Sequence, residues 1–179
     1  MVKGSDRRSP GEWAVLGLLA EEPVHPFAVA RQLGGDGPLG RVFTMQRPLV
    51  YRAVERLRNG GLIERHRTEP GEAGPERTVY RVTPRGRDAL DSWLDEPVRH
   101  IRDIRLAFLL KVVLLRRAGR SPGVLVRAQK EVLSDTLASL DRLPGDPDEI
   151  DLWRHHNAAA ASAFLDALMD RAEGFREAD

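Results

Sequence analysis

The segment running from Arg47 to Ile63 leaves this chain few choices of fold. Val50, Val54 and Leu57 recur at i, i+4 and i+7, so they share one face of a helix. Arg47, Tyr51, Arg52 and Arg58 fall elsewhere on the same helix. Gly60 and Gly61 supply a left-handed stop, and Leu62 and Ile63 open a strand. A short helix with an apolar back and a basic, tyrosine-bearing front, followed by a strand pair, is what a winged helix offers to a DNA groove.

The flanking punctuation fits that order. Ser9-Pro10-Gly11-Glu12 is a capping box with proline at the first helical position. It predicts a helix to about Ala20, with Trp13, Leu16 and Ala20 on one side. Pro23 ends it, and His25-Pro26 opens a second helix that Gly34-Gly35 stops. A Gly- and Pro-containing loop over 36–43 leads to the third helix. Residues 62–69 and 77–83 read as two strands, since Val79, Arg81 and Thr83 alternate with Tyr80 and Val82. The connection over 70–75 is too long for a tight two-residue turn, which predicts a mobile tip. Thr83-Pro84 caps a fourth helix over 85–95.

The second half changes character. Residues 101–118 form a fifth helix, apolar nearly all round from Leu106 to Leu115. Such a helix is buried, and so short a chain has little mass of its own to bury it, which asks for a partner. A sixth helix over 122–142 gathers Val126, Leu133, Leu137 and Leu140 on one face. A seventh over 149–173 carries Ile150, Trp153, Ala160, Ala161, Phe164 and Leu168 as a stripe. The expected fold is therefore mainly α with a small β-hairpin. A winged helix-turn-helix DNA-binding domain occupies 9–95, and an antiparallel helical dimerisation and effector domain occupies 96–175.

Charge placement supports this more than total charge does. The 179 residues carry a net charge of +1. Yet between Arg41 and Arg67 seven arginines face two glutamates, a local net of +5, and between Arg77 and Arg87 four arginines meet no acid. Basic patches inside a near-neutral chain are an electrostatic footprint for phosphate; the plainer reading is a solvated arginine-rich surface.

Enzyme chemistry finds no foothold. There is no cysteine, hence no disulfide, thiolate nucleophile or Cys-ligated metal. No G-x-S-x-G, P-loop or H-E-x-x-H motif occurs, and the five histidines lack metal-ligand spacing. Gly71-Glu72-Ala73-Gly74 lies in a Pro-bounded hairpin tip rather than before a helix, so it is no dinucleotide turn. No cofactor or metal is expected. No apolar run approaches the ~20 residues of a membrane helix, and the N-terminal residues have no secretory hydrophobic core. The expected location is the cytoplasm, at the nucleoid.

Several stretches together resemble the PadR family of transcriptional regulators, in its subgroup with a long C-terminal helical domain. They are Ala14–Ala20 with His25-Pro26-Phe27, Val50–Leu57 with Gly61-Leu62-Ile63, Tyr80–Gly86, and Leu109-Leu110-Lys111. The resemblance spans about Gly11 to Ala172. It implies a homodimeric winged-helix repressor whose third helix enters the major groove with Tyr51 at the DNA backbone. It also implies C-terminal helices that dimerise and a site for a small aromatic effector. The chain departs from the family at Pro26 and Phe27, where Gly and Tyr are usual, and at Pro48, early in the reading helix.

Residues at the start of a reading helix reach base edges. Gln46 can pair bidentately with adenine and Arg47 with guanine. Arg52 is the next candidate, and Tyr51 donates to a phosphate. Pro48 is tolerated in a first turn but removes a donor. Arg56 and Arg58 are weaker candidates. Arg67 and Arg77 flank the hairpin tip and either hold the minor groove or its phosphates, or form cross-strand pairs with Glu69, Glu72 and Glu76 in a hydrated hairpin. Two reading helices ~34 Å apart would select an inverted repeat.

The expected dimer interface comprises Leu109, Leu110 and Val113 of the fifth helix and Trp153, Ala161, Phe164 and Leu168 of the last. Asn157, polar within the apolar stripe, either fixes dimer register or lines an effector pocket with Trp93, Arg105, Trp153 and His156. The plainer reading makes His155 and His156 surface residues and pairs Arg105 with an acid. The expected partners are double-stranded operator DNA, a second copy of the chain and a small aromatic effector, with no membrane. The rival is a winged-helix protein-interaction adaptor without sequence-specific DNA binding.

Overall fold

A computed structural model describes residues 8–37, 39–71 and 74–174, without the side chains of 71, 74, 75, 173 and 174. Among the described residues there are seven α-helices and one two-stranded antiparallel hairpin. The chain divides into two compact units after Trp93. Residues 1–7, the tip residues Glu72 and Ala73, and residue 175 at the end of the expected C-terminal domain lie outside the description.

The N-terminal unit is built by local signals. Helix α1 (Pro10–Glu21) starts at Ser9, whose Oγ accepts the Glu12 amide at 3.3 Å while Glu12 Oε2 accepts the Ser9 amide at 2.8 Å. Helix α2 (Pro26–Gln32) starts at His25, whose Nδ1 accepts the Ala28 amide at 3.1 Å. Helix α3 (Arg47–Asn59) buries Val50, Ala53, Val54 and Leu57. It ends at Gly60, with Gly61 at φ 69°. The Gly61 amide then reaches the Arg58 carbonyl and the Leu62 amide reaches the Leu57 carbonyl, both at 2.9 Å. That pair of bonds is the Schellman motif.

One expectation about α1 is corrected here. It is buried on every side from Gly11 to Leu19, not along one face, because it contacts α2, α3 and the second strand. The 36–43 loop also contributes core, with Leu39 and Val42 buried.

Strands β1 (Ile63–Gly71) and β2 (Gly74–Val82) pair from Ile63–Val82 out to Gly71–Gly74. The hairpin is therefore longer than expected: pairing continues through Gly71 and Gly74, so the 70–75 connection is not an unpaired loop. The register shifts at His66 and again at Pro70, where proline lacks the amide a ladder needs. Tyr80 turns into the core, and its backbone exchanges two bonds with Val24, at 3.0 and 3.2 Å. Helix α4 (Pro84–Asp95) is capped by Thr83, whose Oγ1 accepts the Gly86 amide at 3.1 Å and donates to the Gly61 carbonyl at 2.8 Å.

The C-terminal unit contains helices α5 (Leu109–Arg117), α6 (Gly123–Leu140) and α7 (Glu149–Gly174). Before α5, Ile101–Asp103 is a 3₁₀ turn and Ile104–Phe108 a π turn; the sequence had suggested a continuous helix over 101–118. Leu110, Val112, Leu114 and Leu115 are buried within the single chain. The argument that this helix needs a partner to bury it is thereby overturned.

Helices α6 and α7 form an antiparallel hairpin: Lys130 pairs with Asp166 at 2.5 Å, and His155 Nδ1 meets the Leu140 carbonyl at 2.9 Å. The buried seam of α7 is Ala158, Ala161, Leu165, Leu168 and Ala172, spaced three and four as in a coiled coil. Ile150, Trp153 and Ala160 of the expected stripe are exposed instead.

Two polar residues lie inside this unit. Gln129 is fully buried; its Nε2 donates to the Val98 carbonyl and its Oε1 accepts the Val98 amide, both at 2.7 Å. Lys111 is 2% exposed and donates from Nζ to the Glu96 carbonyl. Burial pushes its ammonium down to about 8, against the opposing pull of Glu96 and Asp95.

Candidate nucleic-acid interface and effector cleft

The front of α3 is open to solvent. Gln46, Arg47, Pro48, Leu49, Tyr51, Arg52, Glu55, Arg56 and Arg58 are all exposed. Gln46 is the N-cap residue, and its side chain makes no capping bond. Its amide is therefore available to a base edge. Pro48 sits in the first turn, where its missing amide breaks no helical bond. Arg56 lies 3.8 Å from Glu12 of the α1 capping box, and Arg58 reaches Asn59 at 3.5 Å. Arg52 and Tyr51 make no side-chain bond among the described residues.

Phe27 adds an arrangement the sequence did not disclose. The Arg47 guanidinium lies over its ring at 4.6 Å and the Arg77 guanidinium at 5.6 Å. Both are within the ~6 Å of a cation–π contact. One aromatic ring from α2 thus holds a cation of the reading helix and a cation of the hairpin. A guanidinium stacked by its face keeps its N–H edge free for a bidentate acceptor. The usable signal was the departure at Phe27, which marks the position without telling what its ring meets.

On the hairpin, Arg67 is paired to Glu69 of the same strand at 2.6 Å, and Arg81 to Glu64 across the ladder at 2.7 Å. Arg67 thus has an acidic partner on its own strand rather than across the hairpin. Arg77 instead joins the Phe27 cluster.

In the C-terminal unit an open cleft of about 580 Å³ is lined by residues that include Arg99, Arg102, Arg105, Arg154, Trp153 and Asn157. Three of the five expected pocket residues, Arg105, Trp153 and Asn157, therefore share one cavity. Trp93 and His156 do not line it. Trp93 stacks on Trp13 in the N-terminal unit, centroids 4.9 Å apart, and His156 is exposed. Asn157 donates to the Trp153 carbonyl of its own helix at 3.2 Å. Arg105 has no acidic partner among the described residues. The cleft's arginines at 99, 102 and 154 were missed; no periodicity marks them.

Among the expected dimer residues, Leu110, Ala161 and Leu168 are already buried inside the chain. Leu109, Val113 and Phe164 are half-buried and Trp153 is 70% exposed. The distal end of the α6–α7 hairpin exposes Leu143, Ile150, Leu152 and Trp153 together.

Three helices, a hairpin and a capped fourth helix, with the third helix's basic face outward, define a winged helix-turn-helix of the DNA-binding type. Residues 15–92 match the transcriptional regulator PadR-like family and form a domain of that family.

Among solved structures, Bacillus subtilis PadR in complex with operator DNA is similar at 18% identity, with 92% of this chain and 96% of that one covered and a TM-score of 0.47. The same protein in complex with p-coumaric acid is similar at 14% identity, with 92% and 99% covered and a TM-score of 0.45. A PadR-like regulator from Bacillus cereus is similar at 17% identity, with 96% and 99% covered and a TM-score of 0.42. Among curated proteins none matches the chain. No helix among the described residues is long and apolar enough to cross a membrane.

Proposed function

We propose that the protein is a homodimeric repressor that sets α3 of each protomer into the major groove of an inverted-repeat operator and lets go when a small aromatic effector binds. The observation that carries this reading is the α3 surface. Its back is sealed by Val50, Val54 and Leu57, while Gln46, Arg47, Tyr51 and Arg52 stand outward. In this reading Gln46, Arg47 and Arg52 meet base edges and Tyr51 and Arg56 meet phosphate, with Pro48 setting the first turn. Arg77, held on Phe27, follows the backbone beside the groove. Arg67 joins only if it leaves Glu69.

The second copy is supported by the exposed apolar end of the α6–α7 hairpin, where Ile150 is 65% and Trp153 70% exposed. Surfaces of that kind mark interaction sites. The residues we assign to the interface are Trp153 and Phe164 of α7 and Leu109 and Val113 of α5. DNA binding then belongs to residues 9–95, and dimerisation and effector binding to 96–175. The effector is placed in the cleft lined by Arg105, Trp153 and Asn157. It acts by binding better to a dimer whose half-site spacing misfits the operator, a coupling of ~1–3 kcal/mol.

Fluorescence anisotropy on DNA from upstream of the protein's own gene tests this. Arg47→Ala and Arg52→Ala should each weaken binding roughly 5- to 150-fold, as loss of a bidentate base contact does. Binding should fall steeply with salt, because each phosphate contact releases counterions. Salt-insensitive binding would favour the adaptor reading, and a monomer by light scattering at micromolar concentration would sink the dimer.

A further inference from the structure

Several arginines of this molecule are neutralised by a neighbouring acid. Arg56, Arg67, Arg81 and Arg120 each stand within 4 Å of a carboxylate oxygen of Glu12, Glu69, Glu64 and Asp95 respectively. The four that line the C-terminal cleft do not. Arg99, Arg102, Arg105 and Arg154 have no acidic partner among the described residues, and the cleft wall contains no Asp or Glu. Of the acids at the start of α7, Asp148 caps the helix, its Oδ1 accepting the Ile150 and Asp151 amides at 2.9 and 2.8 Å, and Glu149 and Asp151 do not line the cleft.

The charge is concentrated. A sphere of the cleft's volume is ~10 Å across, close to the ~8 Å Debye length at physiological ionic strength. The four guanidinium fields therefore overlap inside it. A single carboxylate can engage one of them bidentately and leaves the others uncompensated. Two or more negative charges on one ligand can engage several at once. Phosphate groups suit this best, since each offers oxygens that match the guanidinium fork. Trp153 adds a flat apolar face at the same wall, 70% exposed, against which a ring can stack. The volume is that of about twenty waters at ~30 Å³ each, room for a ring system and its charged groups together.

We propose that this cleft binds an aromatic ligand bearing two or more negative charges, of the nucleoside phosphate class, with the ring on Trp153 and the phosphates among Arg99, Arg102, Arg105 and Arg154. The proposal rests on the reading of the cleft as the effector site and adds the charge and chemical class of what enters it.

Calorimetry on the full-length chain at 0.15 M salt tests it with adenosine, AMP, ADP, pyrophosphate and benzoate. ADP should bind tightest, followed by AMP. Adenosine, pyrophosphate and benzoate should each be roughly tenfold or more weaker than ADP, since each lacks the ring or the charge. Arg102→Gln with Arg154→Gln should weaken ADP roughly tenfold or more, while Arg116→Gln, away from the cleft, should not. Quenching of tryptophan emission by ADP should vanish in Trp153→Phe. Equal affinity for adenosine and ADP, benzoate binding as tightly as ADP, or no heat from any phosphate at millimolar concentration overturns the proposal. Operator release is read separately. ADP bound with the operator still held supports this ligand class and sinks the effector reading. Release by benzoate without ADP binding does the reverse.

Discussion

The two units leave different surfaces unfinished. Among the described residues of the N-terminal unit, the large apolar side chains left in solvent are Leu49 and Tyr51, each 45% exposed and both on α3. The C-terminal unit exposes Val124, Val132, Leu143, Ile150, Leu152 and Trp153. One unit is closed except where it would meet a groove. The other has an apolar end that its own helices do not cover. The apolar end of the α6–α7 hairpin has no counterpart in the N-terminal unit.

The largest expected effect separates those two conditions. Leu57, 1% exposed in the N-terminal core, should cost about 2–5 kcal/mol as Leu57→Ala, seen as a lower urea midpoint for that unit. Trp153→Ala should leave the midpoint of a dilute, monomeric sample within about 0.5 kcal/mol, as exposed substitutions do. It should raise the dissociation constant of the dimer severalfold or more in sedimentation. If Trp153→Ala unfolds the dilute chain, the exposed end is not a surface waiting for a partner, and the contrast fails.

Next comes Gln129→Leu. It preserves bulk but strands the Val98 amide and carbonyl, which Gln129 alone satisfies. Two unpaired buried groups at ~1–3 kcal/mol each should lower the C-terminal transition and leave the N-terminal one in place. A shift of both transitions together would show that the units unfold as one.

How far each unit could be read from sequence follows the same division. In the N-terminal unit the deciding signals are neighbours in the chain: Ser9 with Glu12, Gly60 with Gly61, Thr83 with Pro84. Each fixes backbone within a few residues, so the helices and the hairpin were legible with their order. The wing's extra pairing to Gly71 and Gly74 was not, because Pro70 argues against a ladder that in fact passes around it through a register shift. In the C-terminal unit the existence of α6 and α7 was legible, but not their phase. Ala158 to Ala161 are equally small all round, so only the partner helix decides that Ala158 and Ala161 face inward. The burial of Gln129 and Lys111 was equally invisible, since each is satisfied by a backbone carbonyl far along the chain.

The candidate site repeats this. Arg47, Tyr51 and Arg52 could be named from helical phase. That Phe27 would gather Arg47 and Arg77 could not, because the three come from separate elements. Phe27→Leu keeps the apolar bulk and removes the ring face. At ~0.5–1 kcal/mol per exposed cation–π contact, it should weaken operator binding roughly two- to thirtyfold without moving the N-terminal midpoint by more than about 0.5 kcal/mol. An unchanged operator affinity would reduce the cluster to packing.

A further effect is a dependence on pH confined to the C-terminal unit. Lys111 titrates near 8 in the folded chain against 10.5 unfolded. Between those values the unfolded chain binds more protons, so this group's contribution to stability rises with pH across the window. It is least favourable below about pH 8, where the ammonium is charged in both states. Wild type should therefore gain on a Lys111→Met variant as urea midpoints are taken from pH 7 to pH 10. A difference that is flat with pH would mean the ammonium is not held down by its burial.

The bond between Gln129 and Val98 bears on how this molecule can be taken apart. The chain divides just after Trp93, and Arg99 and Arg102 follow closely, both exposed and both sites for trypsin. A protease must draw several residues of backbone into extended form before it cuts. Val98 is fastened at both its amide and its carbonyl, so a cut beside it has to wait for that clasp to open. Nicking at Arg99 thus becomes a clock for the clasp, and Gln129→Leu should make it run faster. Anyone wishing to prepare the two units separately would do better to express them than to cleave them.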